Sequence, residues 1–172
     1  LIMKDNSIVM NWNKVDPDDV IGTTGPIDPT LTVIQCVSKD TSKTLALMVN
    51  FTLHPAILVG KDWLYSRDYI HYLTVKLQEH FGDETVVWFS NGAEGNINHL
   101  DYKNPDQNRG FEEAERIGKK LADYTMEALA NKRRLPDHIK NAVAIIQLPC
   151  RKISEEDVKN AKALWEACGG VI

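Results

Sequence analysis

Two short stretches carry the side chains that could do chemistry. LALMVNFTLHPAILVG (45–60) is an apolar run that delivers an imidazole, His54, directly before Pro55. VVWFSNGAEGNINHLD (86–101) ends another apolar run in glycines, asparagines and a second histidine, His99. A neutral imidazole at the rim of a sheet is a good zinc ligand. Glycines permit tight backbone paths whose amides can hold an oxyanion or a phosphate. Each stretch also has a plainer reading. On spacing alone, a lone histidine with no HxH or HxxxH partner is sooner a residue that hydrogen-bonds a turn. NGAEGNIN is not GxGxxG, and it reads equally well as a strand-to-helix connection capped by Asn side chains.

The remaining candidates carry less. His71 and His80 fall in a helical pattern, with His80 expected at the surface, and His138 sits in a basic turn. Asn50-Phe51-Thr52 matches a glycosylation sequon but lies at a buried strand end. Ser66 and Asp68 could be a catalytic pair, yet a helix N-cap at Ser66 explains the serine without catalysis. Cys36, Cys150 and Cys168 are odd in number, far apart and without a CxxC, so neither a disulfide framework nor a cysteine zinc site is implied. Cys36 and Cys150 read as small buried thiols in strands.

These residues need elements to position them. Residues 1–30 are rich in Asp, Asn, Gly and Pro and read as turns. Strands are expected over 31–38, 44–52, 85–90 and 143–148, the last within NAVAIIQLP. Those at 44–52 and 85–90 are apolar on both faces, as befits the middle of a sheet covered by helices. Ile70, Leu73, Leu77 and Phe81 recur at helical spacing over 66–81, with Gly82 as the stop. A second helix spans 111–131, acidic at its start and basic at its end as the helix dipole prefers. A third is opened by Ser154, with Asp157 three residues on. Strands alternating with helices predict a layered α/β fold with a mixed sheet covered by helices. In such sheets ligands gather outside the carboxyl ends of the strands, so His54 and loop 91–99 are expected at one edge.

Composition excludes little beyond this. Of 172 residues 43% are hydrophobic and 26% charged, which is enough for one domain with a real core, and the net charge is -4. The densest basic cluster, NKRRLPDHIK, follows a helix and reads as a solvated helix end, so nucleic acid is not the expected partner. No apolar run reaches the roughly 18 residues that span a membrane. The chain starts without Met and stops after a helical pattern, and it reads as a single partial α/β domain, residues 1–172, of a longer protein.

The order of motifs is more informative than any one of them. MKDN near the start is followed in order by GPIDP, NFTLHP, SRDY, FSNGAEGNINHLD, a G-x-x-L-A-type helix and LPCRK, from about residue 3 to residue 152. This series resembles the neutral/alkaline, non-lysosomal ceramidase family, in particular its bacterial members. The resemblance implies a zinc amidohydrolase that cleaves the N-acyl bond of ceramide, a sphingolipid, or of a related lipid. It implies that His54 is one of four zinc ligands; the other histidine, a glutamate and a tyrosine have no counterpart here. The family's Gly-Asp-Val-Ser-Pro loop falls on Gly95, Asn96, Ile97, Asn98 and His99, so the family serine is replaced by Asn98. The expected oxyanion-holding residues are then Gly95, Asn96 and Asn98. A small-molecule amide or lipid substrate, peripheral membrane contact and a secreted or periplasmic location are likewise implied by the resemblance. The departure at Asn98 keeps a second reading open, a catalytically inactive domain that binds a lipid, glycan or protein in the same crevice.

Overall fold

A computed structural model describes residues 1–12, 15–58, 64–104, 106–136, 138 and 140–170. The last two residues of the apolar run 45–60, and two residues of the basic cluster 131–140, lie outside the described residues. The chain divides into two units, Leu1–Arg133 and Arg134–Ile172.

The first unit opens with a two-stranded antiparallel sheet, β1 (Ile2–Met3) and β2 (Val20–Gly22), joined across turns that include a short 3-10 helix, Pro17–Asp19. The main sheet follows, with β3 (Thr32–Val37), β4 (Thr44–Phe51) and β5 (Val86–Asn91) in the order β3-β4-β5. The β3–β4 hairpin is antiparallel, and β4 runs parallel to β5 with Ala46 opposite Val86 and Phe51 opposite Asn91. The connection between the parallel strands carries α1 (Tyr69–Phe81), and α2 (Phe111–Ala130) follows β5. The molecule thus has the expected α/β fold with a mixed sheet.

The core lies between helices and sheet. Leu47 and Val49 of β4 are buried with Tyr69, Leu73 and Leu77 of α1 and Ala114, Leu121 and Ala122 of α2. The helix spacing puts these apolar residues on one face. Gly118 lets the helices meet: a Cβ there would collide with the Tyr69 carbonyl oxygen and come within 2.8 Å of Tyr72 Cβ. The opposite sheet face is different. Alternation puts Ile34, Met48, Val86 and Trp88 together on it. Val86 is 62% and Trp88 61% exposed, so α1 and α2 cover one face of these doubly apolar strands and not both.

Several local expectations change. The N-cap of α1 is Asp68, not Ser66; its carboxylate accepts from Tyr69 N, while Ser66 Oγ accepts from Asp68 N. Gly82 does stop the helix, at φ 109°. The last turn of α2 has no basic residue, because the helix ends at Ala130 and Lys132 lies beyond it, donating to Gln35 Oε1 at 2.7 Å. Cys36 and Cys150 are exposed thiols rather than the buried ones expected, and Cys168 is exposed too. Cys36 is exposed because it points to the uncovered sheet face.

The second unit contains α3 (Glu155–Ala167), opened by the reciprocal capping box of Ser154 and Asp157. Residues 143–148 do not form the expected strand. Val143, Ile145, Ile146 and Leu148 are 72–96% exposed. A strand exists only as a rung of a ladder, and no described segment pairs with this one.

Candidate functional site

The parallel pairing of β4 and β5 decides what meets at their carboxyl ends. Asn50 pairs with Ser90 and Phe51 with Asn91, and Gly92 N extends the ladder by donating to Phe51 O at 3.0 Å. Asn50 Nδ2 also donates to Ser90 O at 3.0 Å. Gly92 is required here, since a Cβ would sit on Thr52 Oγ1 and within 3.3 Å of Thr52 Cβ. From this paired end the two chains leave together. The third residue after Phe51 is His54, and the third after Asn91 is Glu94. His54 Nδ1 and Glu94 Oε1 stand 3.2 Å apart. Asn91 Nδ2 donates to the same Oε1 at 2.9 Å, while Glu94 Oε2 is buried without a hydrogen-bond partner.

The start of α1 holds the His54 segment in place. Tyr69 Oη donates to Leu53 O at 2.7 Å, and its ring meets Phe89 edge-on. Burial pushes the Tyr69 phenol well above its usual range, and the charges of Glu94 and then Asp68 push the same way. Asp68 is buried and accepts from Ile57 N, Leu58 N and Tyr69 N at 3.0, 2.8 and 2.7 Å. It does so at φ 55°, in the region that disfavours side chains, so three backbone bonds hold a strained residue. The earlier alternative of a Ser66–Asp68 catalytic pair thus meets an aspartate whose oxygens are engaged by the fold.

Of the three loop residues singled out for an oxyanion, Asn98 and Asn96 are engaged elsewhere as well. Asn98 Nδ2 donates to Asn11 O at 3.0 Å, and its Oδ1 accepts from Leu100 N at 2.8 Å. Asn11 Nδ2 returns to Leu100 O at 2.7 Å. Asn98 therefore clamps the loop to the N-terminal segment. Asn96 Nδ2 donates to Pro26 O at 3.0 Å from an exposed position. Gly95 has open space around it.

His99 lies deeper. Its Nδ1 is buried without a partner, and Trp12 meets the ring edge-on. Burial lowers its pKa; Asp68 and Glu113 oppose this and Arg109 adds to it. Gln107 ties the segment down by donating to His99 O at 2.9 Å and to Glu113 Oε1 at 2.8 Å. Glu113, buried in the first turn of α2, also receives two bonds from Arg116, at 2.7 and 2.6 Å.

The structure thus brings His54 and the loop 91–99 to one edge, as expected from the strand ends. The residue that sequence reasoning missed is Glu94. The signal was its offset: in a parallel pair, equal distances past paired strand ends bring residues side by side. Among the described residues no group of three or more His, Cys, Asp or Glu side chains is arranged to hold a metal ion. No described helix is long and apolar enough to cross a membrane.

Comparison with known proteins gives a matching picture of the fold. No protein-family model matches the chain, and no curated protein does. The crystal structure of the neutral ceramidase from Pseudomonas aeruginosa is similar, with a TM-score of 0.53 at 19% sequence identity over 70% of this chain. The match takes in 19% of that ceramidase chain, so these residues span about a fifth of its length. The chain has a ceramidase-like fold.

Proposed function

We propose that these residues are part of the catalytic domain of a longer zinc-dependent hydrolase, which cleaves the N-acyl amide bond of ceramide or a related lipid. The observation that carries the reading is the pairing of His54 with Glu94 at the carboxyl edge of β4 and β5, within a ceramidase-like fold. The described residues do not by themselves fit a catalytic zinc. Such a site needs about three protein ligands and an open position. His54 and Glu94 form a pair, and among the described residues no third metal-binding group stands with them. The remaining ligands are therefore proposed to come from outside this chain, and the role of these residues is to present and orient His54. In this reading an oxyanion would be held by amides of the loop that carries Glu94, other than those of Gly92 and Ile97, which donate to Phe51 O and Glu94 O; a well-placed donor of that kind is worth about 3 kcal/mol.

A second reading has its own observation. By the resemblance Asn98 stands in for the family serine, and its amide is spent on clamping the loop. An inactive domain that binds a lipid, glycan or protein at the same edge accommodates that use of the residue. Metal analysis of the longer protein, together with release of fatty acid from an N-acyl sphingosine, separates the two. The hydrolase reading expects bound zinc, turnover, and loss of activity by at least about 100-fold in His54→Ala, beyond the usual cost of removing an outer-shell partner. A protein that binds the lipid without zinc or turnover supports the binding domain.

A further inference from the structure

Two electronegative atoms held 3.2 Å apart need something positive between them. His54 Nδ1 and Glu94 Oε1 are such a pair. A carboxylate accepts and does not donate, whereas an imidazole nitrogen does either, according to tautomer. From this we infer that Glu94 is a positioning residue: it holds the neutral His54 ring as the Nδ1–H tautomer and leaves Nε2 as the lone-pair nitrogen for a ligand or a proton. Asn91 supports the arrangement by donating to the same Oε1 at 2.9 Å, so that the carboxylate cannot swing away freely. The pairing also sits where it matters. The His54 side chain is 40% exposed and that of Glu94 20%, so the ring is reachable while its orienting partner is largely enclosed. A carboxylate behind an imidazole fixes both tautomer and ring orientation.

The inference deepens the proposed hydrolase reading by assigning Nε2 as the working atom, but it is tested without metal or substrate. The 172-residue chain, labelled with nitrogen-15, is examined at about pH 9, above the ordinary imidazole range. Long-range proton–nitrogen correlations then report which ring nitrogen of His54 carries hydrogen, with His54→Ala giving the assignment. The wild type is expected to show Nδ1–H in excess by about tenfold, the scale of a hydrogen bond to a charged acceptor. Glu94→Ala is expected to revert to the Nε2–H form that free histidine prefers, with the remaining amide spectrum unchanged. Nε2–H in the wild type overturns the inference, whatever the variant does. So does retention of Nδ1–H in a folded Glu94→Ala chain. If that variant does not fold, the wild-type tautomer alone decides. Absence of zinc from the longer protein would sink the hydrolase reading and leave this result standing.

Discussion

Asp68 shows how much of the edge depends on single atoms. Its two oxygens satisfy three backbone amides, two of them just past His54 and one at the first residue of α1. Removing a buried acceptor costs more than the bonds themselves, because each donor is left without water. Asp68→Ala is expected to lower stability by about 3 kcal/mol. Asp68→Asn should fall between the two, since one oxygen remains and an amide group then faces a donor. Urea denaturation midpoints check both. An alanine variant as stable as wild type would mean that the 57–58 turn does not need its carboxylate. Asn98 makes the same point for the loop: its amide reads as chemistry in the sequence and as a clamp in the fold.

At the level of elements, Gly118 and Glu113 show competing terms. Replacing glycine by alanine within an exposed helix ordinarily gains about 1 kcal/mol. In α2 the added methyl meets the Tyr69 carbonyl and Tyr72 Cβ of α1, and overpacking of that kind costs about 1–3 kcal/mol or more. Gly118→Ala should therefore lower the melting temperature; a rise would show that the helices have room to part. Glu113 carries a pH signature. The hydrogen bonds from Arg116 hold its carboxyl below the usual range against the opposing effect of burial, with Gln107 adding to the lowering. A carboxyl held low in the fold stabilises above its unfolded titration range, and that stability is lost as pH falls through the folded value. Below about pH 4.3 the wild type should lose stability faster than Glu113→Gln does. Parallel acid limbs in urea titrations from neutral to acidic pH would remove this network from the account.

For the whole molecule the decisive quantity is how much of a site one chain holds. With His54 and Glu94 as a pair and no third metal-binding group among the described residues, the 172-residue chain should bind zinc weakly or not at all. Equilibrium dialysis against micromolar zinc, with His54→Ala as control, measures it. Stoichiometric binding that the substitution abolishes would show that the chain carries a complete site, and the proposal of ligands from outside it would fall. The uncovered sheet face bearing Val86 and Trp88 belongs to the same scale. The strand sequences are apolar on both sides, while α1 and α2 cover one.

Local patterns in the sequence were enough for most elements. The repeat Ile70, Leu73, Leu77, Phe81 and the glycine stop at 82 mark α1, and Ser154 with Asp157 marks the start of α3, because caps and helical faces are made within a few residues of chain. Strands were legible as apolar runs, but a run becomes a strand only when another segment pairs with it. That is why 44–51 and 86–91 form a sheet and 143–148 stand alone among the described residues. The site followed the same division. His54 and its loop could be placed at strand ends from the sequence. The choice of Glu94 as the neighbour of His54 was made by the parallel register of β4 and β5, which joins residues 40 positions apart and has no local trace.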